Sequence, residues 1–303
     1  MNRVYQGLGH RNRNTQDSHA AQSVGLMVGG GMLLGTVGLF VEMAGQAPLT
    51  GVFFRCVIAA LALIGYAVVS GRGKELRIGR HGFVIALITG LLMVVNWTLF
   101  FAAIGDTSIA VATLVFHVQP LWVMAYGMVF LGEARSVRRT LAALIVLGGL
   151  AVALGPTAFV QAQGGYVRGI GFALLASISY AAVTLLAKTQ RQMSAFALAT
   201  WQCGIGALVL AWWPWLHGFP HGGASWGWLV GLGIVPTAVA YVLLYSGMRR
   251  LQAGQIAILQ FVYPVTAILV DWIAFDHRLS FTQWLGVVTM GVALWMVGRR
   301  ASR

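Results

Sequence analysis

Two short runs hold several residues that could handle a small polar molecule: His117, Gln119 and Pro120 in one, Tyr263 and Pro264 in the other. Each proline lacks an N–H and frees the carbonyl four residues back, at Phe116 and Gln260. A freed carbonyl in apolar surroundings must face a cavity or a neighbouring helix, so each proline is expected as a hinge or as a static kink. His117 could hold a carboxylate, carry a proton, or hydrogen-bond a nearby carbonyl. Trp97 and Phe101 stand four apart and share a helix face, as do Tyr241 and Tyr245. With Tyr180 these residues form the expected substrate-binding set. They suit a flat zwitterion held by a few hydroxyl and amide groups, against ordinary aromatic packing in a chain with 11% aromatics. Glu42, Arg55 and Asp271 lie toward the outer ends of apolar stretches. An Arg55–Asp271 or Arg55–Glu42 pair, acting as a gate or a structural clamp, is expected because charges this deep pair or face water. No acidic residue lies at the centre, which favours weakly coupled or facilitated movement over strong proton or sodium coupling.

Composition fixes what must position these groups. Apolar residues make up 58% of the 303 and charged residues 9%, against about 25% charged in soluble chains. A soluble monomer could not cover its surface with so few polar groups, so the solvent is lipid. A span needs about 20 apolar residues. Ten stretches qualify: 22–43, 49–70, 81–104, 108–131, 138–155, 167–187, 194–216, 225–247, 254–275 and 281–298. The fold class is therefore all-α integral membrane, with ten transmembrane helices.

The formal charge of +13 follows from topology rather than from a nucleic-acid partner. Arg3, Arg11 and Arg13 precede span one; Arg72, Lys74, Arg77 and Arg80 join spans two and three; Arg135, Arg138 and Arg139 join four and five. Lys188, Arg191, Arg249, Arg250, Arg299, Arg300 and Arg303 fall on the same side. Only Arg168 and Arg278 fall opposite, so both termini are expected in the cytoplasm. The polar residues 1–21 read as a cytoplasmic tail with no signal peptide, and 299–303 as a second tail. Cys56 and Cys203 lie in apolar runs without metal-ligand spacing. No metal or cofactor is implied. "GASWG" around Ser225 fits GxSxG, but no strand–turn–helix context or nearby base accompanies it, leaving an intramembrane serine hydrolase as a distant alternative.

Adding 144 to the residue number overlays 91–150 on 235–294 without a gap, and Pro120 then falls on Pro264. The halves, 22–155 and 167–298 about a linker at 156–166, each hold five spans. An odd number inverts the second half, the arrangement found in many secondary transporters.

With these features in place, the chain resembles the EamA-type exporters of the drug/metabolite transporter superfamily over about residues 24–298. The resemblance rests on "HVQPLWVMAYGMVFLGEARSVRRTLAALIVLGGLAVAL", with Pro120 followed by Gly132 and Glu133, and on "FFRCVIAAL" with Arg55. It departs where the second half has Asp276-His277 for Gly-Glu, and where "GMLLGTVGLF" lacks a tryptophan. The resemblance implies export of amino acids, other metabolites or drugs across a bacterial inner membrane. The two aromatic pairs point within it to aromatic and other bulky apolar amino acids, with quaternary ammonium, purine or sugar as alternatives. A monomer is favoured.

Overall fold

The computed structural model describes residues 20–155, 165–276 and 279–301. Most of the expected tail 1–21 and linker 156–166 lie outside them, as do His277, Arg278 and residues 302–303. Regular structure among the described residues is helical. In chain order the helices are α1 (Ala20–Ala44), α2 (Pro48–Val69), α3 (Arg80–Asp106), α4 (Ile109–Phe130) and α5 (Val137–Leu154), then α6 (Tyr166–Thr189), α7 (Ala195–Val209), α8 (Gly223–Met248), α9 (Ala253–Phe275) and α10 (Phe281–Ala301). Eight are long and apolar enough to cross a membrane; α7 and α10 contain shorter apolar stretches. Ser108, Ser136 and Ser194 start α4, α5 and α7, each hydroxyl accepting from a backbone N–H in the first turn.

The seventh helix differs from expectation. Instead of one span over 194–216, α7 ends at Val209 and the chain resumes as a short helix, Trp213–His217. Pro214 cannot donate to the Leu210 carbonyl. That carbonyl accepts instead from the Trp213 N–H at 2.9 Å, which tightens the turn. Proline then sits where helices tolerate it, in the first turn of the new helix.

α3 lies along α6 and α1 along α8; α2 and α3 both pack on α7; α5 lies along α10; and the second half of α4 meets the first half of α9. Backbones approach closely at several crossings. A Cβ on Gly286 of α10 would lie 2.5 Å from the Gly149 carbonyl and 2.5 Å from the Ala153 nitrogen of α5. Gly35 of α1 likewise faces Thr266 and the Tyr263 carbonyl of α9. Large apolar side chains such as Val69, Val129, Phe130, Leu208 and Ile273 remain exposed. In water that surface would aggregate; in a bilayer it is solvated.

Three helices are interrupted midway: α1 at Thr36, and α4 and α9 immediately before the prolines picked out from sequence. α4 is helical to Phe116, turns through His117–Val118 and resumes at Gln119. α9 is helical to Leu259, turns through Gln260–Phe261 and resumes at Val262. Each turn is tightened by three-residue bonds, Val118 N–H to Val115 O (3.2 Å) and Phe261 N–H to Ile258 O (3.1 Å). A further irregularity, a π-helical turn over Ile234–Val239 in α8, surrounds Pro236. It was not expected, because Pro236 has no counterpart in the other half.

Candidate functional site

The irregular turn in α8 builds the first part of the site. Pro236 leaves the Leu232 carbonyl without its usual partner. The Thr237 hydroxyl donates to that carbonyl at 2.7 Å, and its oxygen accepts from Arg55 Nε at 3.0 Å. Arg55, on α2, is 5% exposed. Its Nη2 donates to the Tyr241 hydroxyl at 3.3 Å, and its guanidinium lies 4.9 Å from the Trp97 ring centre and 5.9 Å from that of Tyr241. Helices α2, α3 and α8 thus converge on one buried cation. The Tyr241 ring leans on Tyr245 at 5.8 Å, whose hydroxyl donates to Gln202 Oε1 on α7 at 2.6 Å.

The breaks in α4 and α9 build the second part. His117 Nδ1 lies 2.7 Å from the Thr113 carbonyl, and its ring stacks on Tyr263 at 5.5 Å. Because a carbonyl only accepts, Nδ1 carries the proton, and in the neutral ring Nε2 presents a bare lone pair. Phe116 packs against Tyr180 of α6 at 5.8 Å. Gln119 and Gln260 both donate to the Thr184 hydroxyl of α6, at 3.3 and 3.1 Å. Three buried polar atoms here have no hydrogen-bond partner: His117 Nε2, Gln202 Nε2 and Gln260 Oε1. The two parts adjoin through one buried cluster that holds Tyr241 and Tyr245, with Trp97 and Tyr180 packed against it.

Of the residues singled out from sequence, the structure brings Trp97, His117, Gln119, Tyr180, Tyr241, Tyr245 and Tyr263 into adjoining clusters. Phe101 stands apart from their polar groups, packed with Val52, Cys56, Val94 and Leu210. The expected pairing of Arg55 with Glu42 or Asp271 is corrected. Glu42 is exposed, Asp271 is half-buried, and Arg55 turns inward to hydroxyls and rings. Short range explains this: Thr237 and Tyr241 supply oxygen acceptors and aromatic faces within the core, so the guanidinium has no need to reach a helix end. Thr184, Gln202, Thr237 and Gln260 were missed as site residues. Only a count of amide and hydroxyl groups inside spans could have found them.

One end of the bundle is closed by polar contacts. Glu133, after α4, accepts from the Ala253 N–H (2.7 Å) and the Gly254 N–H (3.3 Å) at the start of α9, and its carboxylate lies 3.4 Å from Lys188. Arg249 donates to the Met193 carbonyl, and Arg139 to Gln252. Nearby, Arg72 bonds Glu75 at 2.6 Å and holds its carboxyl below the usual range. At the other end Arg168 pairs with Asp106 at 2.8 Å. Ser225 stands in the first turn of α8 with its hydroxyl given to the Ala44 carbonyl at 2.9 Å.

Apolar helices with lipid-compatible outer surfaces, broken at their centres around buried polar and aromatic groups, define a polytopic membrane carrier. The EamA-like transporter family model matches residues 22–155 and again 167–299. The chain belongs to the EamA-like transporter family. It is 30% identical to the uncharacterized transporter YxxF of Bacillus subtilis over 277 residues, 89% of this chain and 88% of that protein. An uncharacterized transporter of Archaeoglobus fulgidus is 31% identical, covering 84% and 88%. The protein RarD of Streptomyces exfoliatus is 24% identical, covering 93% and 91%. A solved crystal structure, 22% identical, shares the fold with a TM-score of 0.78 over 93% of this chain and 98% of that one.

Proposed function

We propose that the protein is a secondary transporter exporting aromatic and other bulky apolar amino acids across a bacterial inner membrane by alternating access. In this reading ten spans form two five-helix inverted repeats with both termini cytoplasmic. Support comes from the helix pairings: exchanging the halves turns α3–α6 into α8–α1 and α2–α8 into α7–α3, while α2–α7, α4–α9 and α5–α10 map onto themselves. Such a carrier acts by binding and releasing, so the serine near α8 has no chemical part in it.

The observation that carries the substrate reading is the set of partnerless buried atoms among rings. Gln260 Oε1 and His117 Nε2 can accept from an α-ammonium, and Gln202 Nε2 can donate to a carboxylate. An aromatic or thioether side chain then lies against Trp97, Tyr241 and Tyr263. Counterflow in proteoliposomes loaded with Phe, Trp, Tyr or Met is expected to exceed counterflow of Lys by roughly 100-fold. A second cation beside Arg55 would go uncompensated, at a cost of several kcal/mol. The same cation opposes quaternary-ammonium drugs. Equal rates for Lys and Phe would refute the reading, and transport of purines or sugars alone would replace it.

Orientation has its own test. Cys56 and Cys203 are buried, so a single introduced cysteine gives the signal. An impermeant maleimide added outside intact cells is expected to label Gly222→Cys and to miss Lys74→Cys and Arg138→Cys. Labelling of Lys74→Cys from outside would invert the map.

A further inference from the structure

We propose that Arg55 is the anchor for the substrate's carboxylate, so that the protein selects molecules carrying one negative charge beside an apolar body. The inference rests on the amino-acid reading above and deepens it. Arg55 is 5% exposed, and the groups that hold it are the Thr237 and Tyr241 oxygens and the Trp97 and Tyr241 rings. All of these are neutral. Among the described ion pairs, none includes Arg55.

A buried guanidinium normally keeps its charge and is matched by a carboxylate, because an uncompensated charge in low dielectric is expensive. Here no matching anion pairs with it among the described residues. The bonds to Thr237 and Tyr241 use one edge of the fork, through Nε and Nη2. Nη1 makes no hydrogen bond to a described residue. A guanidinium edge presents two parallel donors, the geometry that binds a carboxylate bidentately. Gln202 Nε2, another donor without a partner, belongs to the neighbouring Tyr241–Tyr245 pair. A monoanion neutralises one cation, whereas a phosphate dianion would leave charge over in a site whose other named groups are neutral. Trp97 and Tyr241 flank the anchor, so the apolar body of the ligand begins where the carboxylate ends.

The test uses the whole purified protein in lipid nanodiscs and three probes: phenylalanine, 3-phenylpropionate, which lacks the amine, and phenethylamine, which lacks the carboxylate. Binding is followed by tryptophan fluorescence, because a ligand that draws Arg55 away from the Trp97 face changes that emission. The wild-type protein is expected to bind 3-phenylpropionate at least 50-fold more tightly than phenethylamine. Arg55→Gln should erase this preference, and Arg55→Lys should retain part of it, keeping the charge but losing the fork. The wild-type comparison stands even if a variant fails to fold. Phenethylamine binding as tightly as 3-phenylpropionate overturns the anchor. So does Arg55→Gln that moves phenylalanine with an unchanged KM, and in that case amino-acid export survives. Arg55-dependent binding of 3-phenylpropionate without any phenylalanine counterflow upholds the anchor and rejects amino-acid export.

Discussion

Replacing Glu133 by alanine is expected to open the end of the bundle where α4, α6 and α9 meet. In the wild-type protein its carboxylate caps the first amides of α9 and lies beside Lys188. A helix N-terminus carries partial positive charge, so the acid is favoured there by the dipole as well as by the bonds. Charge-assisted hydrogen bonds contribute about 1.5–3 kcal/mol. Losing about 3 kcal/mol from one conformation shifts its population by roughly 100-fold against the other. Ala187 on α6 is buried close to this closure. An Ala187→Cys probe is expected to react much faster with an impermeant maleimide, in inside-out vesicles, once Glu133→Ala is added. Glu133→Gln, which can still accept from one amide, should fall between. An unchanged labelling rate would show that Glu133 only caps α9 and holds nothing closed.

The second large effect concerns folding. Gly286→Ala is expected to destabilise the protein by about 1–3 kcal/mol and Gly286→Leu by more, enough to cut its yield in the membrane. The reason is where the new Cβ would fall. Its nearest neighbours are backbone atoms of α5, the Gly149 carbonyl and the Ala153 nitrogen, and these move only if the two helices separate. Gly291→Ala on the same helix is the control, since nothing lies within 4 Å of a Cβ there. Thermal unfolding in detergent should give a lowered Tm for Gly286→Ala and an unchanged one for Gly291→Ala. Equal values would mean that the α5–α10 crossing has slack that its backbone distances do not show.

The sequence exposed most of the scaffold because lipid imposes a simple rule: an apolar stretch of sufficient length becomes a helix. It also exposed the breaks in α4 and α9, since proline removes a particular hydrogen bond at a particular residue. The error at α7 has the same origin. Pro214 was counted inside an apolar stretch when its missing N–H ends the helix before it. The site was legible only in its aromatic parts. Trp97, Tyr241 and Tyr263 stand out by size and spacing, while Thr184 and Gln202 are polar residues whose importance depends on helices far away in the chain. Arg55 was noticed but given the wrong company. Sequence depth pairs a charge with opposite charges near it on a linear map, whereas the fold offered it hydroxyls and rings from α3 and α8.

Thr184 has a further consequence. One hydroxyl serves two amides, Gln119 from the first half and Gln260 from the second. A carrier that rocks must break polar contacts on one side of its centre before it makes them on the other, and a bare amide in a lipid-like interior slows that passage. Two amides sharing one oxygen behave as runners passing a baton. As one withdraws, the oxygen is already in the grasp of the other. In the alternating-access cycle proposed above, withdrawal of one amide leaves the Thr184 oxygen bonded to the other, so the hydroxyl keeps a partner while it ties the two halves together.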